Sequence, residues 1–459
     1  MNTVQEVMES ESLVVIGASS DPFKSGSMLI KVLQDVGYTG KVAGINPKGG
    51  EVYGTKLYKT LDDVPFRPDL GVLHIQPRFI PEVVKNCALI GMKGIVISSE
   101  GFAESDEKGK QYQRELKEIL KSSGMRGFGP NTLGIINTST KLTTSYFSDH
   151  DMMTPGSIGF IAQSGIFIGA LLRYISSIDN LKISKGLGLG NKVDVDESDA
   201  LEYLLQDEQT RTIGMYLEDI RDGRRFLETA RRASTQKPVL LLKGGRTAQG
   251  AHASASHTAS MAVDDAVFDG SLRQAGVVRM KGIEELVSNL MAFEWMPLPK
   301  GNQIALVTFS GAQAIMSVDA AVEEGLSLAK FSESTRADIS TVIANSYKAQ
   351  NPIDIFPDMM THGFEKTHLE ILKALLKDDG VHGIVLISFV MDGPKPFYPL
   401  VELLNQHHDK PVFITLMGPK EDVRNCGDYL ASQKIPCYPF PETAVRVFSN
   451  MWNYRKNTR

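Results

Sequence analysis

Cysteine is scarce in this chain: Cys87, Cys426 and Cys437 are the only three in 459 residues, and no two of them form a CxxC pair. An odd, widely spaced set supports neither a disulfide framework nor a zinc site, and it suits a reducing cytoplasm. Charge of one sign is not in excess. Lysine and arginine number 49 against 54 acidic residues, for a net charge of -5, so the basic field needed to hold a nucleic-acid backbone is missing. Long hydrophobic runs are missing too, since no stretch approaches the roughly 20 apolar residues of a membrane span. Residues 1–12 are polar and acidic, without the basic start and apolar run of a secretory leader. An HxH or HExxH metal spacing is lacking, and so is the GxGxxG fingerprint of a dinucleotide site. These absences exclude most alternatives to a cytoplasmic enzyme or binding protein.

What is present is a repeated alternation of short apolar runs with amphipathic stretches. The first set is LVVIGA (13–18), KVAGIN (41–46), LGVLHI (70–75) and GIVISS (94–99), followed by GFGPN (127–131). A second set comprises SIGFIA (157–162), ISKGLGLG (183–190), TIGMYL (212–217) and PVLLLKGG (238–245). Beyond the proline-bearing MPLPKGN (296–302) come QIALVTF (303–309), HGIVLISF (382–389) and PVFITL (411–416). Alternation of this kind predicts βαβ units and parallel sheets, here in three open α/β domains. The length agrees, at roughly 150 residues per domain.

Candidate site residues stand where strands give way to helices. The turn Gly17-Ala18-Ser19-Ser20 and its continuation to Gly26 follow an apolar strand and precede a helical stretch, where backbone N–H groups receive phosphate in open sheets. The second strand ends in Asn46-Pro47-Lys48 instead of the acid that would bind a ribose hydroxyl. A cation there favours CoA, with its several phosphates, over NAD; a purely structural glycine turn is the alternative. Ser164-Gly165 and Ser310-Gly311 each open a helix after a strand, so each is either an anion site or an ordinary cap. Glu218 stands at a strand end in GMYLEDIRDGRRF, and His252 and His257 lie in the small-residue segment 243–262. An imidazole flanked by Ser256 and Thr258 can act as a nucleophile, and a carboxylate such as Glu218 can accept its N–H. A surface histidine and a solvated glutamate are the plain alternatives.

Taken together, GASSDPFKSG, INPKGGEVYG, SSEGFAE, GPNTLGI, IAQSGIFIGALL, GLGLGNKVDVDESDALEYLLQDEQT, MYLEDIRDGRRF, KGGRTAQGAHASASHTASMA and NPIDI resemble the ADP-forming acetyl-CoA synthetases, relatives of succinyl-CoA synthetase. The similarity covers nearly the whole chain, in order. It implies a CoA-binding Rossmann domain over 1–140, a flavodoxin-like ligase domain with a phosphohistidine segment over 150–295, and a third, flavodoxin-like ligase domain over 300–459. It further implies that His257 is the phosphorylated histidine and that Glu218 steadies it. Gly17, Ala18, Ser19, Ser20, Lys48, Ser98, Ser99 and Glu100 fall where the family contacts CoA, and Ser164, Gly165, Ser310 and Gly311 where two helices face the phosphate. No metal site is expected on this chain.

Thr132 stands where relatives carry a cysteine, and Thr308-Phe309-Ser310-Gly311-Ala312 stands where they carry a TNAGG-like turn. The sequence through Arg459 holds no ATP-grasp domains, so ATP or ADP and Mg2+ are expected on a separate ATP-grasp beta subunit in a hetero-oligomer. Small carboxylic acid, CoA and phosphate are the remaining expected partners. A CoA-binding or sensing protein of the same fold without turnover, and an NAD-dependent oxidoreductase, are the rival readings. Neither nucleic acid nor a membrane is an expected partner.

Overall fold

A computed structural model describes residues 3–247, 249–250, 264–344 and 349–458. The chain forms two compact units, one of residues 1–177 and 181–281, the other of 178–180 and 282–459.

The first unit holds two seven-stranded sheets. One comprises β1 (Ser12–Ile16), β2 (Lys41–Ile45), β3 (Gly50–Val52), β4 (Thr55–Tyr58), β5 (Leu70–Leu73), β6 (Gly94–Ile97) and β7 (Arg126–Phe128), in the order β3-β4-β2-β1-β5-β6-β7. All pairs are parallel except the edge hairpin β3–β4. Every residue of β1, β5 and β6 is buried, as expected of strands covered by helices on both faces. The second sheet comprises β8 (Ile135–Asn137), β9 (Leu142–Thr143), β10 (Ile158–Ala162), β11 (Ile183–Gly188), β12 (Thr212–Leu217), β13 (Val239–Lys243) and β14 (Val278–Met280), in the order β14-β13-β12-β10-β11-β8-β9. One apolar cluster runs from Val15 and Leu29 through Phe128 and Ile135 to Ile161 and Met215, so the two sheets share a core.

The second unit is built on β15 (Gln303–Thr308), β16 (Ser327–Leu328), β17 (Ile353–Asp354), β18 (Gly383–Phe389), β19 (Val412–Met417) and β20 (Cys437–Tyr438), all parallel. β16 pairs with the start of β15 and β17 with its end. Asn351 fills the gap between them, accepting from Leu306 N at 3.0 Å and donating to Ile304 O at 2.7 Å. The helix Ile283–Trp295 also belongs to this unit.

Each sheet has a point where the chain's path reverses. β1 lies between β2 and β5, β10 between β11 and β12, and β15 between β16 and β18. Loops leaving the carboxyl ends of such strands diverge and open a crevice, which is where open α/β sheets bind ligands. The residues just past these strand ends are Gly17 and His74 in the first sheet and Gln163 and Glu218 in the second. Phe309 and Val390 hold the same places in the third. Among the described residues no helix is long and apolar enough to cross a membrane. Cys87, Cys426 and Cys437 are free thiols.

Candidate active site

The first strand-to-helix turn is held very close to β5. Gly17 has φ of +99°, and a Cβ placed there would sit 2.4 Å from His74 O, so only glycine fits. The turn is then locked internally: Ser19 N donates to Ser27 Oγ at 3.1 Å, and that hydroxyl donates back to Ser19 O at 2.7 Å. Asn46 bridges to the next turn, donating to Ala18 O at 2.7 Å while accepting from Lys48 N at 2.9 Å. Gly17 to Ser20 and Lys48 are therefore brought together, with Ser20 and Lys48 exposed. The helix Ser25–Asp35 that follows has no side-chain cap, which leaves its first N–H groups open.

A cleft of about 770 Å³ crosses the carboxyl ends of both sheets in this unit. Its wall includes Ser98, Ser99 and Glu100 past β6, Gln163, Ser164 and Gly165 past β10, and Glu218 past β12. Six of the residues singled out in the sequence thus share one cleft; Gly17 to Ser20 and Lys48 are not part of its wall. Ser99 Oγ donates to Ile75 O at 2.6 Å, while Asn131 N donates to Ser99 O at 2.9 Å, and these bonds fix the turn past β6. Gly165 begins the helix past β10, and that helix runs through a π-helical turn, Phe167–Leu171.

Glu218 is positioned mostly through its backbone. The buried Gln163 Oε1 accepts from Glu218 N at 2.8 Å and from Asp219 N at 3.1 Å. Lys243 Nζ donates to Glu218 O at 2.6 Å, and burial lowers the pKa of that ammonium. On the side chain, Tyr216 Oη donates to Glu218 Oε1 at 3.2 Å. Burial first, then the charge of Glu218, raises the tyrosine pKa, so the phenol stays a donor. Phe167 stacks on Tyr216 with ring centroids 3.9 Å apart.

Beneath this, Lys192 is buried between Glu197 and Asp219, donating to Glu197 Oε2 at 3.0 Å and to Asp219 O at 3.1 Å. Glu197 Oε1 accepts from Arg221 N at 2.7 Å. The loop 218–221 therefore has fixed anchors at both ends. Gly244 packs against the same carboxylate, since a Cβ there would lie 2.8 Å from Tyr216 Oη and 3.3 Å from Glu218 Cγ. The chain leaving β13 toward the histidine segment thus passes over Glu218. His252 and His257 themselves lie outside the described residues.

In the second unit, Ser310 is the N-cap of the helix Gly311–Glu323 and makes no side-chain cap bond. Instead Thr308 Oγ1 accepts from Ser310 N at 3.0 Å and donates to Ser310 O at 3.1 Å. Gly311 is exposed, and the nearest atom to a Cβ built there is Asp354 Oδ2, at 3.9 Å. Among the described residues no three His, Cys, Asp or Glu side chains gather as a metal site.

The sequence motifs do not single out Tyr216, Lys192 or His74. His74 follows LGVL at a strand end, the same signal that singled out Glu218.

Comparison with known proteins places this architecture. Residues 11–138 match the CoA binding domain, 155–293 the succinyl-CoA ligase like flavodoxin domain, and 304–458 the ligase-CoA domain. The chain is 36% identical to acetate–CoA ligase (ADP-forming) II of Archaeoglobus fulgidus, over 99% of its own length and 67% of that protein. It is 34% identical to the acetate–CoA ligase (ADP-forming) I subunit alpha of Pyrococcus furiosus, over 99% of this chain and 98% of the other. Among solved structures, the dinucleotide-forming acetyl-coenzyme A synthetase 1 of Ca. Korarchaeum cryptofilum, in complex with phosphate and ADP, superimposes with a TM-score of 0.91 at 30% identity, covering 100% of this chain and 98% of that one. Fold and site together define the class of CoA-binding, succinyl-CoA-ligase-like proteins. Within that class, the chain belongs to the family of ADP-forming acetate–CoA ligases.

Proposed function

We propose that this chain is the alpha subunit of an NDP-forming acyl-CoA synthetase, catalysing acyl-CoA + ADP + phosphate ⇌ carboxylic acid + CoA + ATP. The observation that carries this reading is the single cleft joining the strand ends of the CoA-binding sheet to Glu218. A phosphate oxygen attacks the thioester carbonyl; the C–O bond forms, the C–S bond breaks, and CoA leaves as the thiolate. An imidazole nitrogen of His257 then attacks phosphorus, and the carboxylate leaves as the P–O bond breaks. Glu218 accepts the N–H of the phosphorylated ring and stabilises its charge. Covalent relay divides one difficult transfer into two easier ones.

Gly17 to Ser20, Lys48 and Ser98 to Glu100 contact CoA in this reading, and the N–H groups opened by Ser164-Gly165 and Ser310-Gly311 receive phosphate. The relatives called alpha subunits span the same stretch as this chain, which supports a separate beta subunit of ATP-grasp type that carries ADP or ATP with Mg2+. Three free thiols support a reducing cytoplasm as the setting.

The test is chemical. Incubating the chain with acetyl-CoA and labelled phosphate should leave an acid-labile, base-stable label, which His257→Ala abolishes while CoA binding persists. A label that survives His257→Ala and disappears in His252→Ala would reassign the nucleophile, and no label at all would remove the relay.

A further inference from the structure

Glu218 enters the cleft from a strand end, and a hydroxyl that meets its carboxylate comes from Tyr216, two positions back along the same strand. Side chains two apart on a strand leave the same face, so the two stand side by side. Tyr216 Oη donates to Glu218 Oε1 at 3.2 Å. Glu218 is part of the cleft wall and Tyr216 is not. The tyrosine therefore stands behind the carboxylate, placed to act through it.

The ring has little freedom to turn its hydroxyl elsewhere. Tyr216 lies inside the second sheet, in register with Ala162 of β10 and Leu242 of β13, and its carbonyl accepts from Gln163 N at 3.0 Å. Phe167 covers one face of the ring, with centroids 3.9 Å apart and planes 13° from parallel. Gly244 closes on the hydroxyl end, where a Cβ would come within 2.8 Å of Tyr216 Oη. A fixed ring plane fixes the direction of the hydroxyl. Burial, then the charge of Glu218, raises the tyrosine pKa and keeps the proton on that oxygen.

Phe167 links this arrangement to the other half of the site. The helix past β10 begins at Gly165, and Phe167 is the first residue of its π-helical turn. Such turns are rare and recur at functional sites. The stack thus ties the helix start at Ser164-Gly165 to the strand end that carries Glu218. Gln163, in the same loop, holds the Glu218 backbone, so backbone and carboxylate are each referred to the residues past β10.

We propose that Tyr216 is a positioning residue for phosphoryl transfer: its hydroxyl aims the Glu218 carboxylate, and its stack on Phe167 sets that carboxylate relative to the helix start at Ser164-Gly165. This rests on the reading of Glu218 as the group that steadies the phosphorylated ring. The phenol meets neither substrate nor phosphorus. It spares the carboxylate a search for the orientation in which it accepts the imidazole N–H.

The test measures how fast the full chain takes label from acetyl-CoA and labelled phosphate. Tyr216→Phe keeps the ring and the stack and deletes the hydroxyl. The maximal rate should fall about tenfold, the worth of one hydrogen bond to a charged group, while the half-saturating acetyl-CoA and phosphate concentrations stay within about twofold. In a Glu218→Gln background, where no carboxylate is left to aim, the same change should cost about twofold or less. Phe167→Leu keeps the hydroxyl and loses the stack, and should slow labelling by about threefold to tenfold. A native rate in either variant, an equal loss from Tyr216→Phe in both backgrounds, or a loss seen in half-saturation and not in the maximal rate would overturn the proposal. If Tyr216→Phe does not fold, the Tyr216 ζ-carbon resonance decides: it should differ between the native chain and Glu218→Gln, and coincidence would overturn the proposal as directly. A native chain that takes no label would instead overturn the relay itself, a result distinct from a relay that runs at full rate without the hydroxyl.

Discussion

Glu218 owes its place less to its own side chain than to Gln163, whose one carbonyl oxygen accepts two backbone N–H groups at 2.8 and 3.1 Å. Gln163→Leu keeps most of the volume and strands both donors in a half-buried loop. Leaving such groups unpaired costs about 1–3 kcal/mol, so unfolding experiments should register a loss of that size. The loop carrying the carboxylate should loosen with it. The phosphorylation rate should then fall about tenfold or more while CoA affinity holds, because a misplaced carboxylate no longer meets the developing charge.

A second single-residue effect concerns acid stability. His368 is buried, with Nδ1 2.7 Å from Phe364 O and Nε2 3.2 Å from Ser388 Oγ. The carbonyl can only accept, so Nδ1 carries the proton and Nε2 accepts from the hydroxyl. Burial lowers its pKa from 6.5 to about 4. The unfolded chain therefore binds a proton that the folded chain refuses between those two values, and stability falls as pH drops through that window. At the lower end the loss is on the order of 3 kcal/mol for this group. Urea unfolding at about pH 7 and about pH 5 should show the decline, and His368→Gln should flatten it.

At the scale of elements, the site is a set of strand ends, and this is why so much of it is legible in sequence. Parallel strands read as apolar runs, and the first polar residues after each run are where a ligand is expected, which is how Ser98, Ser164 and Glu218 stand out. Lys192 is not legible in the same way. Lysine is ordinarily a surface residue, and nothing in GNKVDVDESD announces that its ammonium is sealed between Glu197 and Asp219. Only the fold joins the loop after β11 to the loop after β12. Removing one member of such a pair leaves its partners charged and unmatched, so Lys192→Met should destabilise the first unit by about 3–5 kcal/mol. Thermal unfolding with a probe in that unit would measure it, and an unchanged midpoint would mean the ion pair adds nothing. The Gly17 turn gives a stricter case: Gly17→Ala must both adopt φ of +99° and push against His74 O, so it should lose CoA binding along with stability.

At the scale of the whole molecule, the sequence does not say which segment packs on which sheet. A helix's periodicity reports that one face is buried, and says nothing of the sheet that buries it. Ile135–Asn137, which follows the last strand of the first sheet, pairs antiparallel with β11 of the second sheet. Similarly, the helix Ile283–Trp295 shares the core of the second unit: Ala292 is fully buried there, and Phe293 meets Tyr454 edge-on at 5.5 Å. Two polar ties reinforce it. The buried Tyr438 Oη donates to Ser288 O at 2.8 Å, and Asn450 Nδ2 to Asn289 Oδ1 at 3.2 Å. A fragment of residues 282–459 should therefore fold alone with a single cooperative transition, whereas one of residues 300–459 should not match it. The shorter fragment exposes the apolar wall that Ala292 and Phe293 cover and leaves the Tyr438 hydroxyl buried without an acceptor. An orphaned hydroxyl costs about 1–3 kcal/mol, and losing one large aromatic contact costs about 3–5 kcal/mol, enough to consume much of a small domain's stability. Calorimetry of the two fragments gives the answer, and equal stability would place the helix Ile283–Trp295 outside the folding unit of the third sheet.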